Sequence, residues 1–371
     1  MTTPQPGRAG SNLTGLRDHN DALVLGLLRG AGEGSSRVEL AAATGLTPQA
    51  VGKITARLLD DGMITEAGQA ASTGGKPRTL LRLRGEAACA VGVHLERDEL
   101  TVLLVDLTGR HHYRHAQPLD PDLTPPEVLP LVVAQIERAV AAAPRGARLL
   151  GAGVGCRGPL DHARGVLHWF GRPGVRPRSE WQRYPLRERL AERLDGLPVV
   201  VDKDTNAAIL AETRAPGLGR SLAYVHLAGG LGAGLVLDGA LYRGTRTNAG
   251  EFGHQTVQLD GPLCDCGNRG CLEALCLAEL RRGDHEAVAR LVGVGVANLV
   301  RLLDIDHIVL GGRAVLDAPA TYTTAVAAQL RARIPEPDWQ PVPVTPATTG
   351  SLAVALGAAE LLLGPLLGRR V

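Results

Sequence analysis

The chain has 371 residues, of which 44% are hydrophobic and 21% charged, and its formal net charge is +2. This balance is typical of a water-soluble globular protein, and the length predicts two or three domains. Aromatic residues make up only 3%, which argues against stacking surfaces for RNA or single strands, and no apolar run approaches the ~18 residues of a membrane span. Residues 1–12 are polar, rich in Pro and Gly and without a signal-peptide core, so we expect a disordered arm on a cytoplasmic protein.

Residues 13–85 have the pattern of a winged helix-turn-helix domain. The first predicted helix, at 13–30, carries an apolar stripe at positions 23, 24, 27 and 28. Ser35-Ser36 can cap a second helix that stops at Gly45, and Thr47 is the predicted N-cap of a third helix. Helix, short turn and helix is the order of a helix-turn-helix motif, which points to double-stranded DNA as a partner.

The third helix is the predicted recognition helix. We expect its apolar side to bury Val51, Ile54, Leu58 and Leu59. The outward residues at the start of such a helix read base edges in the major groove. The candidate DNA-binding residues on this helix are Thr47, Gln49, Ala50, Lys53 and Arg57.

Two short strands are predicted after the third helix, at 63–64 and 79–83, and the segment between them resembles the tip of a wing. This tip carries Lys76 and Arg78, which we expect to contact phosphates or to enter a minor groove. The alternative for the whole segment is a small helical domain that binds another protein.

From Cys89 onward, predicted strands and helices alternate. Strand hairpins are predicted at 88–109 and 221–244, and an amphipathic helix at 181–196. This order indicates a two-lobed, duplicated α/β fold of the actin/hexokinase-like kind. We place a small lobe at 86–203 and a large lobe at 204–349, with a C-terminal helix at 350–364 that packs back on the small lobe.

The stretch from Asn248 to Glu273 has the densest chemistry in the chain. His254 is followed by Cys264, Cys266 and Cys271, with two glycines between the last two cysteines. One histidine and three cysteines complete a tetrahedral zinc shell, and glycines let the backbone turn tightly enough for the sulfurs to converge. The sequence therefore predicts a bound Zn²⁺, the alternative being ordinary buried thiols.

The pattern Glu-x-Gly-His followed by Cys-x-Cys-Gly-x-x-Gly-Cys-x-Glu resembles the signature of the ROK family of repressors, open reading frames and sugar kinases. The resemblance implies that the zinc is structural. It also implies that Asp204 stands at the position of the kinases' catalytic base and that a sugar would contact Asp204, Asn206, Glu251, His254 and Glu273. The N-terminal segment resembles the winged domain of the family's repressor branch, which the stand-alone kinases lack.

Departures from the family pattern are unevenly distributed. On the sugar side, Lys203 replaces an asparagine, and we expect it to lower the pKa of Asp204. On the phosphate side, His94, Glu96 and Asp98 replace the aspartate, glycine and threonine of the first phosphate motif, and Gly229 lacks an expected hydroxyl. Carboxylates beside a triphosphate repel it by about 4 kcal/mol per pair at 4 Å, so we expect no catalysis and regard Asp204 as a vestigial base.

The sequence thus predicts a zinc-stabilised, sugar-responsive regulator that binds an operator in double-stranded DNA at the nucleoid and represses carbohydrate metabolism. We expect a homodimer or homotetramer without membrane contact, although the region 274–305 is shorter than in the family pattern. Two alternatives stay open. One is an active or bifunctional ATP-dependent sugar kinase, and the other is a regulator that has lost sugar binding and responds to a protein partner.

Overall fold

The structure is a computed structural model that describes residues 13–69, 78–168, 179–214, 218–335 and 339–371. The predicted N-terminal arm and the predicted wing-tip residue Lys76 lie outside these ranges. Among the described residues, no helix combines the length and the apolar character that crossing a bilayer requires.

The N-terminal segment contains three helices and a small antiparallel sheet in the order β1-β3-β2. Its elements are α1 (Leu13–Gly30), β1 (Ser35–Ser36), α2 (Arg37–Thr44), α3 (Pro48–Asp60), β2 (Ile64–Gln69) and β3 (Thr79–Leu83). Both predicted N-caps are present, because the Ser36 hydroxyl accepts from the Glu39 amide and the Thr47 hydroxyl accepts from the Ala50 amide. Gly45 closes α2 at φ +69°, a conformation that favours glycine.

The buried side of α1 differs from the predicted stripe. Val24, Leu25 and Leu28 are buried, but Leu27 is exposed. The helix packs against both its neighbours in the N-terminal segment and the C-terminal helix of the chain, so its buried face is rotated towards Leu25. On α3, Val51, Ile54 and Leu58 are buried as predicted, whereas Leu59 is only half-buried.

The small lobe is built on a five-stranded sheet in the order β10-β7-β4-β5-β6. Its elements are β4 (Ala88–Leu95), β5 (Glu99–Asp106), β6 (His111–Pro118), α4 (Pro125–Ala141), β7 (Arg148–Cys156), β8 (Leu160–Asp161), β9 (Val166–Leu167), α5 (Leu186–Ala191) and β10 (Val199–Lys203). Helix α5 is much shorter than the predicted helix at 181–196. The backbones of Tyr184 and Leu167 exchange two hydrogen bonds, which hold the chain extended until Pro185.

The large lobe repeats this plan with a sheet in the order β13-β12-β11-β14-β15. Its elements are α6 (Asp204–Glu212), β11 (Leu222–Leu227), β12 (Leu231–Leu237), β13 (Ala240–Leu241), α7 (Leu272–Leu280), α8 (His285–Leu303), β14 (His307–Gly311), α9 (Arg313–Asp317), α10 (Pro319–Arg333) and β15 (Val344–Pro346). Each sheet buries its own apolar cluster. The two lobes confirm the predicted α/β architecture.

The C-terminal helix α11 (Ala353–Leu366) and α6 pack between the two sheets. Glycines allow the close contact: a Cβ added at Gly357 would lie 1.6 Å from the Ala207 carbonyl oxygen, and one at Gly153 would lie 1.8 Å from that of Ala358. Helix α11 lies on β4 and β7 of the small-lobe sheet. It also joins α1 in one buried cluster, so the N-terminal segment rests on the body of the protein.

Candidate functional site

A cavity of about 450 Å³ opens between the two lobes. Residues at the ends of β7 and β10, at the start of α6 and in the Gly-rich turn between β11 and β12 line it. The ionisable residues of its wall are Glu96, Arg157, Lys203, Asp204, His226, Glu251, His254, Asp265 and Glu273. Four of the five predicted sugar-binding residues are therefore brought together, the exception being Asn206.

Asp204 is buried at the first position of α6, where its carboxylate accepts a hydrogen bond from the Thr205 amide at 2.6 Å. Burial raises the pKa of Asp204, and the Glu96 carboxylate adds to the rise. The prediction that Lys203 lowers this pKa is wrong in its net direction. The Lys203 ammonium does act that way, but its hydrogen bonds go to Glu251 and the Ala249 carbonyl, and burial is the larger effect.

Asn206 does not face the cavity. Its side chain is fully buried one turn into α6 and donates to the Asp202 carboxylate at 2.9 Å. Asp202 also receives two contacts from Arg243, at 2.8 and 2.7 Å. Asn206 thus belongs to a buried network behind the cavity wall, which the chain order did not indicate because Arg243 lies on another segment.

Two of the five carboxyl residues in the wall, Glu251 and Glu273, are held in place by specific partners. Glu251 forms an ion pair with Lys203 at 2.6 Å. Glu273 accepts from the Leu231 amide at 2.7 Å and lies 3.9 Å from the Arg157 guanidinium. Arg157 was not predicted from the sequence, although a charged residue directly after the buried strand β7 was a usable signal.

The predicted metal ligands form one cluster. A ligand atom from each of His254, Cys264, Cys266 and Cys271 lies within 4.8 Å of all the others. The Cys264 sulfur is 3.7 Å from His254 Nδ1, and the sulfurs of Cys266 and Cys271 are 3.6 Å apart. Burial and the neighbouring thiols raise the pKa of Cys271 to about 12. Three sulfurs and one imidazole at this spacing fit a tetrahedral metal ion. The thiols would lose their protons on binding it.

The residues that replace the phosphate motif form ion pairs with one another and with the large lobe. His94 Nε2 lies 3.7 Å from Glu96, and Arg313 of α9 lies 3.3 Å from Asp98. Although burial opposes both shifts, the contact raises the pKa of His94 and lowers that of Glu96 well below its usual range. Gly229 is exposed at the Gly-rich turn.

His226 on β11 is a further cleft residue that the sequence did not single out. Burial lowers its pKa, and neither ring nitrogen has a hydrogen-bond partner among the described residues. A histidine inside the otherwise apolar strand LAYVHL was the available signal.

The candidate DNA-binding residues divide into two groups. Thr47, Gln49 and Lys53 are exposed on α3, and Ala50 is half-exposed beside them. Arg57 instead turns back and forms an ion pair with Asp21 of α1, which orients it along the domain rather than outward. Arg78 is exposed at the start of the second wing strand.

Comparison with known proteins gives a consistent result. The sequence matches the ROK family over residues 90–279, just over half of the chain. It is 26% identical over 323 residues to the xylose repressor of Caldicellulosiruptor bescii, an alignment that spans 75% of this chain and 79% of the relative.

Among solved structures, a ROK family transcriptional regulator described as a homologue of the E. coli MLC protein aligns with a TM-score of 0.75 at 23% identity, covering 95% of this chain and 97% of its own. The ROK hexokinase of Thermus thermophilus aligns with a TM-score of 0.61 at 32% identity, covering 76% and 97%. The regulator therefore shares the fold of almost the whole chain, whereas the hexokinase shares about three quarters of it.

Proposed function

The chain belongs to the ROK family, and from that premise we propose that it is a sugar-responsive repressor of transcription rather than a sugar kinase. One observation carries this proposal. The sugar side of the cleft keeps Asp204, Glu251, His254 and Glu273 around one cavity, while on the donor side His94 pairs with Glu96 and Asp98 pairs with Arg313. The similarity to a xylose repressor supports the same function.

The kinase alternative is kept open by the hexokinase similarity and by Asp204, a buried carboxyl in the wall of the cavity. Phosphoryl transfer depends almost entirely on positioning the phosphates and neutralising their charge. With Glu96 and Asp98 in the place of phosphate-binding groups, we expect no turnover. A coupled assay for ADP over a panel of hexoses tests this, and turnover above ~1 per second that is lost in Asp204→Ala would establish the kinase instead.

The proposed DNA interface is the exposed side of α3 together with the wing. Gln49→Ala should change base preference and cost ~1–3 kcal/mol at one base position, because amide side chains read adenine edges. Arg57→Gln is the matched comparison on the same helix. Since Arg57 pairs with Asp21, its replacement should lower domain stability without changing base preference. Binding to operator libraries by both variants measures the difference, and equal losses of sequence preference would contradict this interface.

The proposed metal is one Zn²⁺ per chain, held by His254, Cys264, Cys266 and Cys271. When bound, the ion would supply a structural cross-link and fix the loop that leads to Glu273. Metal analysis of protein purified without chelator should find zinc, and Cys266→Ser should lose it. Cys276→Ser is a suitable control, because Cys276 is buried on α7 but is not part of the cluster. Zinc loss in the control alone would contradict this ligand set.

For the assembly we propose a homodimer or homotetramer, since paired winged domains match the two half-sites of a symmetric operator. Light scattering of the purified protein in solution measures the mass directly. A monomer that binds a single half-site would contradict this part of the proposal.

A further inference from the structure

We propose that the cleft selects an uncharged sugar and rejects the phosphorylated or carboxylated form of the same sugar. This inference rests on the proposed function, and it specifies the chemical class of the effector. The wall of the cavity holds several formal charges, but among the described residues its cations are already engaged by carboxylates of the wall itself.

The first engaged cation is Lys203, the residue that replaces an asparagine of the family pattern. Its side chain is 5% exposed. The ammonium donates to the Glu251 carboxylate at 2.6 Å and to the Ala249 carbonyl at 3.1 Å. An ammonium has three N–H donors and no acceptor, so one donor is left over while the positive charge is matched. That donor suits a hydroxyl or ring oxygen of a neutral ligand.

The second engaged cation is Arg157, which follows β7, the strand that pairs with the Lys203 strand β10. Its guanidinium lies 3.9 Å from Glu273 and contacts the Gly229 carbonyl at 3.5 Å. Glu273 in turn accepts from the Leu231 amide. A ligand anion that approached Arg157 would therefore meet a carboxylate that the backbone holds in place.

Three further carboxyl groups of the wall also oppose an anion, whereas His254 belongs to the metal-ligand cluster and burial lowers the pKa of His226, which favours its uncharged form. Glu96 is matched by His94 at 3.7 Å, while Asp204 is buried and Asp265 is an exposed carboxylate at the rim. A phosphate or carboxylate is recognised in proteins by an arginine or lysine that is free to form charge-assisted hydrogen bonds. Here it would lie beside Glu251 or Glu273, and its negative charge would compete with that carboxylate for the same cation.

A neutral sugar is not repelled by the carboxylates of the wall. Each hydroxyl is both a donor and an acceptor, so it can donate to Glu251 or Glu273 and accept from Lys203 without separating an ion pair. Hydrogen bonds to charged groups are stronger than neutral ones. The paired charges of the wall are therefore suited to a ligand with many hydroxyl groups and no net charge.

Calorimetric titration of the full-length protein tests this proposal with matched ligands. The neutral probes are glucose, xylose and N-acetylglucosamine, and the charged probes are glucose 6-phosphate, N-acetylglucosamine 6-phosphate and glucuronate. We expect at least one neutral probe to bind and its charged counterpart to bind at least tenfold more weakly. A charged form that binds as tightly as its neutral counterpart, and releases DNA, would overturn this inference and leave the sugar-responsive function intact. Failure of every neutral and charged sugar to bind would overturn both.

The variant Glu251→Gln examines the cause of the selectivity. It leaves the Lys203 ammonium unmatched, so the ratio of phosphate affinity to neutral-sugar affinity should rise at least tenfold. The opposite variant, Lys203→Met, should lower that ratio, which keeps the test valid if one of the two variants is poorly folded. Glu192→Gln is the control, because it breaks an exposed pair with Arg189 on α5, away from the cleft. An unchanged ratio in both cleft variants would contradict the proposal.

Discussion

The buried carboxyl groups near the two ends of helix α6 differ in their ion-pair partners. At the cleft end, Asp204 is buried, and among the described residues no cation lies within ion-pair distance of it. At the other end, Glu360 of α11 is only 1% exposed and forms a double contact with Arg29 at 2.6 and 2.9 Å. Arg214, two residues after α6, and Arg369 lie 3.6 and 3.8 Å from the same carboxylate.

The pKa values of the two groups consequently move in opposite directions. Burial raises the pKa of Asp204. Burial would do the same for Glu360, but the hydrogen bonds and the charge of Arg29, with smaller contributions from Arg369 and Arg214, lower its pKa. For these two buried carboxyl groups, the counter-charge and not the depth of burial sets the direction of the pKa shift. The cleft end holds a buried carboxyl without an ion-pair partner among the described residues, whereas the far end is a fixed joint between the N-terminal segment and the body.

The largest expected effect is the loss of that joint. Glu360→Gln leaves three arginines around an uncharged amide, and removing one partner from a buried ion pair costs about 3–5 kcal/mol. Urea unfolding measures the free energy. Asp238→Asn is the matched control, because it breaks an ion pair with Arg220 that is largely exposed, and such pairs contribute about 0–1 kcal/mol. If both variants lowered the free energy of unfolding equally, the buried ion pair of Glu360 would stabilise the fold no more than an exposed pair does.

A smaller loss is expected for Arg29→Met. The variant removes the double contact from α1, but Arg214 and Arg369 remain near Glu360. Hydrogen bonds to charged groups contribute about 1.5–3 kcal/mol. Amide hydrogen exchange should therefore accelerate in α1 more than in the sheets of the body. Arg17→Met, on the exposed face of the same helix, should leave exchange unchanged, and faster exchange in both variants would show that Arg29 has no special role.

The sequence predicts contacts between residues that are close in the chain, but it does not predict the ion pairs between residues that are far apart in the chain. The caps at Ser36 and Thr47 are correct because their partners lie within three residues. Arg29 and Glu360 are separated by 331 positions, and Lys203 and Glu251 by 48. No periodicity connects such residues. The motif around His254 predicts one wall of the cavity, but the ion pairs that decide the charge of that wall depend on how the two lobes pack.

The next prediction concerns how the stability contributed by Glu360 depends on pH. A carboxyl with a lowered folded pKa contributes stability above its unfolded pKa, about 4.3 for glutamate, and loses it as the pH falls through the folded value. The difference in the free energy of unfolding between the wild type and Glu360→Gln should therefore be largest at pH 7. It should shrink as the pH falls below about 4. Urea unfolding at a series of pH values checks this, and a difference that grows on acidification would contradict the lowered pKa of Glu360.

The smallest effect, and the only gain, is expected for Asp204→Asn. Because the folded state binds the Asp204 proton more tightly than the unfolded state does, this carboxyl lowers stability as the pH rises from about 3.9 through its raised folded pKa. The charged groups around it, His94 and Glu96 of the small lobe, His226 of β11 and the adjoining Lys203, are unchanged in the variant. The asparagine can still accept from the Thr205 amide, so the variant should gain on the order of 1 kcal/mol at pH 7.

This gain should disappear as the pH falls towards 4, because the wild-type carboxyl is then neutral in both states. At pH 7, Asp204→Asn should be more stable than the wild type and Glu360→Gln should be less stable. Acidification should bring both variants closer to the stability of the wild type. The same series of urea unfolding curves therefore tests both ends of α6. If Asp204→Asn lost stability at pH 7, the Asp204 carboxylate would have to be stabilised by a counter-charge as Glu360 is, and the proposed contrast between an open cleft and a fixed joint would fail.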